Sequence, residues 1–161
     1  MVTVDQATKL WAVGNLSQKA SSELLGDFIK LTLVYNEGGA MGTNFGSSIY
    51  YLVITLVILP VLVFYLYQHR GDLSFSLPLA FVVAGALGNL IDRFRYGRVV
   101  DFIDVDFFDI EAIGLTRWWT FNVADICISG AIIFLTFRLF IFPGHKKTVD
   151  GKAAQPADSS G

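Results

Sequence analysis

The chain has 161 residues, of which 53% are hydrophobic and 16% are charged, and its mean hydropathy is +0.55. Soluble chains average about 25% charged residues, so this composition indicates a membrane protein and excludes a disordered chain. The net charge of −2 provides no basic surface for phosphates, so nucleic acid is not expected as a partner.

The N-terminal segment, residues 2–16, is moderately apolar but shorter than the roughly 20 helical residues that cross a bilayer. Asp5 and Lys9 are four residues apart and therefore share one face of a helix. We expect this segment to form half a membrane span. After it, Phe28 to Tyr35 alternates like a strand and a glycine-rich turn follows, which predicts extended, interfacial structure.

Three later runs are long and apolar enough to cross the bilayer. Ile49–Tyr67 carries no charge and contains Pro60, which predicts a kink. Ser76–Arg93 is apolar until its last turns, and Val123–Phe142 has an aspartate near its start. With the N-terminal half span, these runs predict a membrane α-helical fold, a four-helix transmembrane bundle whose first helix is shortened.

The segment between the last two runs, Arg95–Thr120, mixes strand-like stretches with glycine and aromatic residues. We predict a small sheet on the membrane surface there. Asp104, Asp106 and Asp109 alternate along an apparent strand, which puts two of them on one solvated face. We interpret them as surface charge rather than as a calcium site.

The C-terminal tail, residues 145–161, has no apolar period and cannot bury enough surface to offset its ordering entropy. The sequence therefore predicts one membrane domain over residues 1–144 and a disordered tail. Arginine and lysine flank both ends of the predicted spans, so the positive-inside rule leaves the orientation open.

Two aspartates carry the predicted chemistry. Asp101 follows the second full span and Asp125 begins the third, so both should lie near one membrane face. Ionisable groups at membrane depth are costly and by default mark a functional site. Two close carboxylates cannot both ionise cheaply, so one keeps its proton. Such a pair can activate water with one member and protonate a carbonyl oxygen with the other.

Polar residues at helical spacing accompany this pair. Asn89 and Arg93 are four residues apart, and Asn122 and Asp125 are three apart, so each pair shares a helical face. The amides can orient carboxylates without adding charge, and Arg93 can hold a carboxylate or a carbonyl. The alternative is that these residues only pair helices, or that Asn122 only caps one.

Other catalytic schemes lack the residues that they need. Cys127 lies inside the last span, away from His69 and His145, so we interpret it as a packing residue. A single cysteine also excludes an intrachain disulfide and a thiolate metal cage. The alternative functions are a small transporter or proton-relay subunit, whose buried carboxylates bind a cation, and a non-catalytic assembly protein.

Four ordered blocks of sequence carry a resemblance to a known family. They are DQATK at residues 5–9, YNEGGAMG at 35–42, GNLIDRFRYGRVVDFID at 88–104 and FNVAD at 121–125. In order and spacing they resemble lipoprotein signal peptidase (signal peptidase II), a bacterial family of intramembrane aspartic peptidases.

The resemblance implies a hydrolase that removes signal peptides from prolipoproteins, cleaving N-terminal to a diacylglyceryl-modified cysteine. It implies that Asp101 and Asp125 are the catalytic residues, and it implies no metal or cofactor. We expect a monomer in the bacterial inner membrane, in contact with membrane lipids, with its sheet and active site at the extracytoplasmic face. The resemblance also assigns supporting or substrate-binding roles to Asp5, Lys9, Asn36, Gly38, Ala40, Asn89, Arg93 and Asn122.

Two features depart from the family pattern. Only four residues precede Asp5, where the family has a longer apolar stretch. We expect a first helix that is cut short, either by a misassigned start codon or by truncation. Gly39 and Met41 stand where the family more often has alanine and phenylalanine, so contacts with substrate or inhibitor are expected to differ. We expect the loop from Gly38 to Gly46 to cover the bound peptide.

Overall fold

The computed structural model describes residues 1–26, 28–38, 47–105 and 120–141. Within these ranges the chain forms four helices and a three-stranded sheet. The elements are α1 (Val2–Asn15), β1 (Ser22–Leu25), β2 (Ile29–Asn36), α2 (Ser48–Gln68), α3 (Leu73–Tyr96), β3 (Val99–Val105) and α4 (Val123–Ile141).

The three long helices, α2, α3 and α4, have the length and apolar composition to cross a membrane. They confirm the three predicted spans, and α2 continues through Pro60. The fourth helix, α1, has 14 residues, which extend about 21 Å at 1.5 Å per residue. A hydrocarbon core of about 30 Å is longer than that, so α1 agrees with the predicted half span.

The ends of α3 lie beyond the predicted limits, Ser76 and Arg93, because local caps define them. Asp72 precedes the helix, and its carboxylate accepts a hydrogen bond from the N–H of Ser74 at 3.1 Å. At the other end Gly97 has a φ of 71°, a left-handed conformation that glycine adopts without strain. This turn sends the chain straight from α3 into β3.

The sheet is antiparallel, with the order β1-β2-β3. Strand β2 confirms the strand-like pattern of the sequence, whereas β1 had no such signal. Val34 pairs with Asp101 and Asn36 with Val99, so the end of β2 lies beside the start of β3. This register brings the side chain of Asn36 to the strand that carries Asp101.

A small apolar core packs the sheet against the end of α1. Its buried members are Ala12, Leu33, Val100 and Phe102. Ala12 comes from the same face of α1 as Asp5 and Lys9, which are also buried. One face of α1 is therefore buried. Its apolar part packs under the sheet, and its charged part lies beside α3.

The prediction of a solvated position is wrong for Asp104. Its side chain is 4% exposed, and it accepts a hydrogen bond from the hydroxyl of Thr32 at 3.0 Å. The reason is that β3 is covered on both faces, so alternation along this strand does not separate a wet face from a dry one. Several predictions lie outside the described residues: Asp106, Asp109, Gly39, Ala40, Met41, the remainder of the loop to Gly46, and the tail.

Candidate active site

The two predicted catalytic aspartates meet at the end of the bundle that carries the sheet. Asp101 lies on β3 and Asp125 in the first turn of α4. Asn122 stands between them and is fully buried. Its Nδ2 donates to Oδ1 of Asp101 at 2.7 Å, and its Oδ1 accepts the backbone N–H of Asp125 at 3.0 Å.

Asp101 is held by amide groups from two elements and is almost completely enclosed. Its side chain is 1% exposed, and besides Asn122 it accepts a hydrogen bond from Nδ2 of Asn36 at 3.0 Å. Burial and the charge of Asp125 raise the pKa of Asp101 to about 7. Asp101 therefore holds its proton up to neutral pH.

Asp125 also accepts two hydrogen bonds. Nδ2 of Asn89 donates to its Oδ1 at 2.9 Å, and the backbone N–H of Asn122 donates to its Oδ2 at 3.2 Å. Asn122 and Asp125 thus bond each other reciprocally at the start of α4, as in a capping box. Asn122 therefore caps α4 and also hydrogen-bonds both aspartates. The capping role and the orienting role are compatible.

Lys9 decides which way the amide of Asn89 points. Its ammonium group, which can only donate, gives a hydrogen bond to Oδ1 of Asn89 at 2.8 Å. Oδ1 of Asn89 also accepts a hydrogen bond from Nδ2 of Asn122 at 3.2 Å. The amide nitrogen of Asn89 must then face the other way, towards Asp125.

The same lysine lies in a buried charge cluster behind the two aspartates. Its Nζ is 3.0 Å from Oδ2 of Asp5 and 2.9 Å from Oδ2 of Asp92, and all three side chains are at most 3% exposed. Gln6 adds a hydrogen bond to Oδ1 of Asp92 at 3.0 Å. Buried charges persist only when they are paired and hydrogen-bonded, and here each carboxylate is.

Sequence reasoning did not select Asp92 and Gln6 as site residues. A signal for Asp92 was available, since it is an ionisable residue inside an apolar run and lies three residues after Asn89. For Gln6 there was none, because an uncharged side chain near a helix start fits many surface positions. Only its contacts across the bundle reveal its place.

Arg93 holds the chain that enters the site from β2. Its guanidinium donates to the carbonyl oxygen of Gly38 at 3.1 Å and to that of Asn89 at 3.4 Å. The N–H of Gly38 in turn donates to Oδ1 of Asn36 at 2.9 Å. Arg93 thus holds a carbonyl group of its own chain. Its Nε, which is buried, has no hydrogen-bond partner among the described residues.

The described part of the chain thus gathers nine of the ten predicted site residues into one hydrogen-bonded network; the tenth, Ala40, is not among the described residues. The nine are Asp5, Lys9, Asn36, Gly38, Asn89, Arg93, Asp101, Asn122 and Asp125. Cys127 lies elsewhere and lines an apolar groove between α3 and α4. Paired aspartates with neutral amide donors are equipped for acid–base catalysis on a carbonyl group.

Comparison with known proteins gives a consistent result over the length of the chain. Residues 1–141 match the family model described as signal peptidase (SPase) II. A lipoprotein signal peptidase from Syntrophus aciditrophicus is 36% identical, with 84% of each chain covered. Another, from Clostridium acetobutylicum, is 34% identical, with 94% of each chain covered.

A solved structure shares the fold. It is a bacterial membrane enzyme that superposes with a TM-score of 0.78 at 31% sequence identity, covering 94% of this chain and 89% of its own. A second bacterial membrane enzyme structure gives a TM-score of 0.72, also at 31% identity, with 86% of each chain covered.

Proposed function

Because the chain belongs to the signal peptidase II family, we propose that Asp101 and Asp125 are the catalytic dyad of a multi-pass membrane peptidase. The enzyme removes signal peptides from prolipoproteins. The observation that carries the aspartic mechanism is the position of Asn122, which is fully buried and hydrogen-bonded to both aspartates. Its side chain donates to the carboxylate of Asp101 and its backbone N–H donates to the carboxylate of Asp125. Pairing of helices alone requires neither contact.

The dyad works with one shared proton. Below about pH 7 this proton belongs to Asp101, whose pKa burial raises to that value, and Asp125 is the base. Asp125 takes a proton from water as the water oxygen attacks the scissile carbonyl, while Asp101 protonates the carbonyl oxygen. On collapse Asp125 returns its proton to the leaving nitrogen, and Asp101 recovers a proton from the hydroxyl of the intermediate. The dyad ends in the state in which it began.

The network around the dyad keeps this geometry without adding charge. Asn36, Asn89 and Asn122 each donate an amide hydrogen to a dyad carboxylate. Arg93 fixes the carbonyl of Gly38 beside them and retains a buried Nε–H for a substrate carbonyl. Preorganised donors of this kind stabilise the developing oxyanion, because they need not reorient during the reaction.

The position of the dyad relative to the spans supports a lipid-modified substrate. The dyad lies at one end of three helices that can cross a membrane, and α2 has no buried residue, so apolar surface faces outward beside the site. The acyl chains of a diacylglyceryl-cysteine can stay in lipid while the peptide enters between helices. The proposed cleavage is N-terminal to this cysteine, at the extracytoplasmic face of the bacterial inner membrane, by a monomeric enzyme.

The cation-binding alternative is not favoured. Asp5 and Asp92, two further buried carboxylates near the dyad, already share Lys9 as their ion-pair partner, at 3.0 and 2.9 Å. A transporter would also have no reason to match a peptidase family over residues 1–141.

The test is a gel-shift cleavage assay with a diacylglyceryl-modified prolipoprotein and the full chain in lipid or detergent. At equal folded amounts, Asp101→Asn and Asp125→Asn should each abolish cleavage. The matched control is Asp104→Asn, a buried carboxylate on the same strand whose partner is Thr32, and it should retain cleavage. Wild-type rates in either dyad variant would remove the aspartic mechanism.

The same assay tests the lipid requirement. A prolipoprotein that lacks the diacylglyceryl group should be cleaved far more slowly than the modified one, because its cysteine is not held at the membrane surface. Equal rates on both substrates would show that the lipid is not part of what the site recognises.

A further inference from the structure

Two buried carboxylates behind the dyad each hold the backbone of the residue that precedes a catalytic aspartate. Oδ1 of Asp5 accepts the N–H of Ala124 at 2.9 Å, one residue before the dyad member on α4. Oδ2 of Asp92 accepts the N–H of Val100 at 3.1 Å, one residue before the dyad member on β3. A second pair of buried carboxylates, Asp5 and Asp92, is thus bonded to the backbone beside the dyad.

Lys9 contacts both carboxylates of this second pair, and Gln6 does so as well. Nζ of Lys9 lies within 3.0 Å of both. Nε2 of Gln6 donates to Asp92 at 3.0 Å and to Asp5 at 3.2 Å. Charge-assisted hydrogen bonds in a site that excludes water are short and directional, so the distance between the two carboxylates is closely defined.

The contact between Asp92 and Val100 satisfies a backbone N–H group at the edge of the sheet. Strand β3 is at the edge of the sheet, so its N–H groups that point away from β2 need other partners. Phe121 supplies a carbonyl oxygen to the N–H of Phe102 and of Ile103. Val100 is fully buried, and its N–H finds its acceptor in Asp92 on α3.

We propose that Asp92 is a positioning residue of the dyad, which sets the place of Asp101 relative to Asp125 by holding the backbone at Val100. This inference rests on the proposed function. Asp92 acts through the backbone, touches neither dyad carboxylate in a hydrogen bond, and takes no part in proton transfer. Its partner Asp5 acts in the same way on α4, and Lys9 holds the spacing between the two.

The size of the effect follows from how steeply catalysis depends on geometry. A misplacement of about 1 Å can lower the rate roughly 100-fold. Asp92→Asn keeps the size of the side chain but removes the ion pair with Lys9, which loosens the hold on β3. We expect kcat to fall roughly 10- to 100-fold while KM changes less than about threefold, because substrate contacts are untouched.

A second readout separates positioning from a loss of folded protein. The charged groups that surround Asp101 are Asp125, Lys9 and Arg93, and the variant removes one of the two carboxylate charges paired with Lys9, leaving Asp5. The alkaline limb of the rate profile should therefore move to lower pH in Asp92→Asn. A variant that only unfolds part of the sample loses activity without moving this limb.

The matched control is Asp72→Asn, which breaks a different ion pair, with Arg138, at the far end of α3. It should leave kcat and the pH limb unchanged. If Asp92→Asn does not fold, Gln6→Leu replaces it, since it removes one donor to Asp92 without changing charge. That variant should lower kcat severalfold with no shift of the limb.

Different variants test the proposed dyad and the positioning role of Asp92. If Asp101→Asn cleaves like the wild type, the dyad is wrong. If that variant is inactive while folded Asp92→Asn keeps the wild-type kcat and limb, the dyad stands and the positioning role is overturned. For Gln6→Leu, a wild-type kcat has the same meaning.

Discussion

Gly88 on α3 is the position at which one methyl group should disable the enzyme. A Cβ at this residue would overlap Oδ2 of Asp5 and lie 3.1 Å from its Cγ. The carboxylate cannot move aside freely, because Lys9 and the N–H of Ala124 both bind it and its side chain is 2% exposed. In Gly88→Ala either α1 is displaced or Asp5 gives up its partners.

The expected loss of stability can be worked from those partners. A hydrogen bond to a charged group contributes about 1.5 to 3 kcal/mol, and breaking a buried ion pair costs about 3 to 5 kcal/mol. The better helix propensity of alanine offsets about 0.5 to 1 kcal/mol. Because contributions within one network do not simply add, we expect the free energy of unfolding to fall by about 3 to 6 kcal/mol.

Activity should fall further than stability alone requires, because Asp5 holds the backbone next to Asp125. The folded fraction of Gly88→Ala should cleave prolipoprotein at least roughly 100-fold more slowly than the wild type. Unfolding is measured by titration with SDS in mixed micelles, and cleavage by gel shift at equal folded amounts.

Gly130→Ala on α4 is the matched control, because a Cβ there meets nothing within 4 Å. It makes the same chemical change in a helix and should leave cleavage unaltered, with a free energy of unfolding equal to that of the wild type or higher by up to about 1 kcal/mol. If Gly88→Ala behaved like this control, the close approach of α1 to α3 would not matter for the site.

Two predictions concern pH. The rate of cleavage should decline above about pH 7, as Asp101 loses the proton that its burial retains. Asn36→Ala should move this decline to higher pH, because it removes a hydrogen-bond donor that favours the ionised form of Asp101. A decline at unchanged pH in this variant would contradict the prediction. At the far end of the bundle, the hydrogen bond from Ser74 and the charge of Arg138 lower the pKa of Asp72 from 3.8. A carboxyl whose pKa is lowered on folding stabilises the folded state above its unfolded pKa and loses that contribution as pH falls through the folded value. At pH values below about 4, the midpoint temperature of unfolding should therefore decrease. The decrease should be smaller in Arg138→Gln. A decrease of unchanged size in this variant would show that the ion pair is not responsible.

Local patterns were sufficient for most of the fold. Apolar runs of membrane length predicted α2, α3 and α4, because a helix in lipid satisfies its own backbone and needs only an apolar surface. The half span, α1, followed in the same way from its length. Strand β1 could not be predicted, since its four residues are all exposed and carry no alternation.

The two aspartates of the proposed dyad could also be selected from the sequence. Asp101 and Asp125 each stand at the border of an apolar run, and an ionisable group in that position is informative by itself because lipid penalises it. The supporting pairs, such as Asn89 with Arg93, came from helical spacing, which is a local property of three to four residues.

What only the tertiary structure decided is how the dyad is held. Asp5 reaches the N–H of Ala124 across 119 positions of sequence, and Gln6 reaches Asp92 across 86. No periodicity encodes such contacts, because they depend on how closely α1 approaches α3, and that approach depends on the missing side chain of Gly88. Sequence thus determined which residues are too polar for their surroundings, whereas packing alone determined which of them meet.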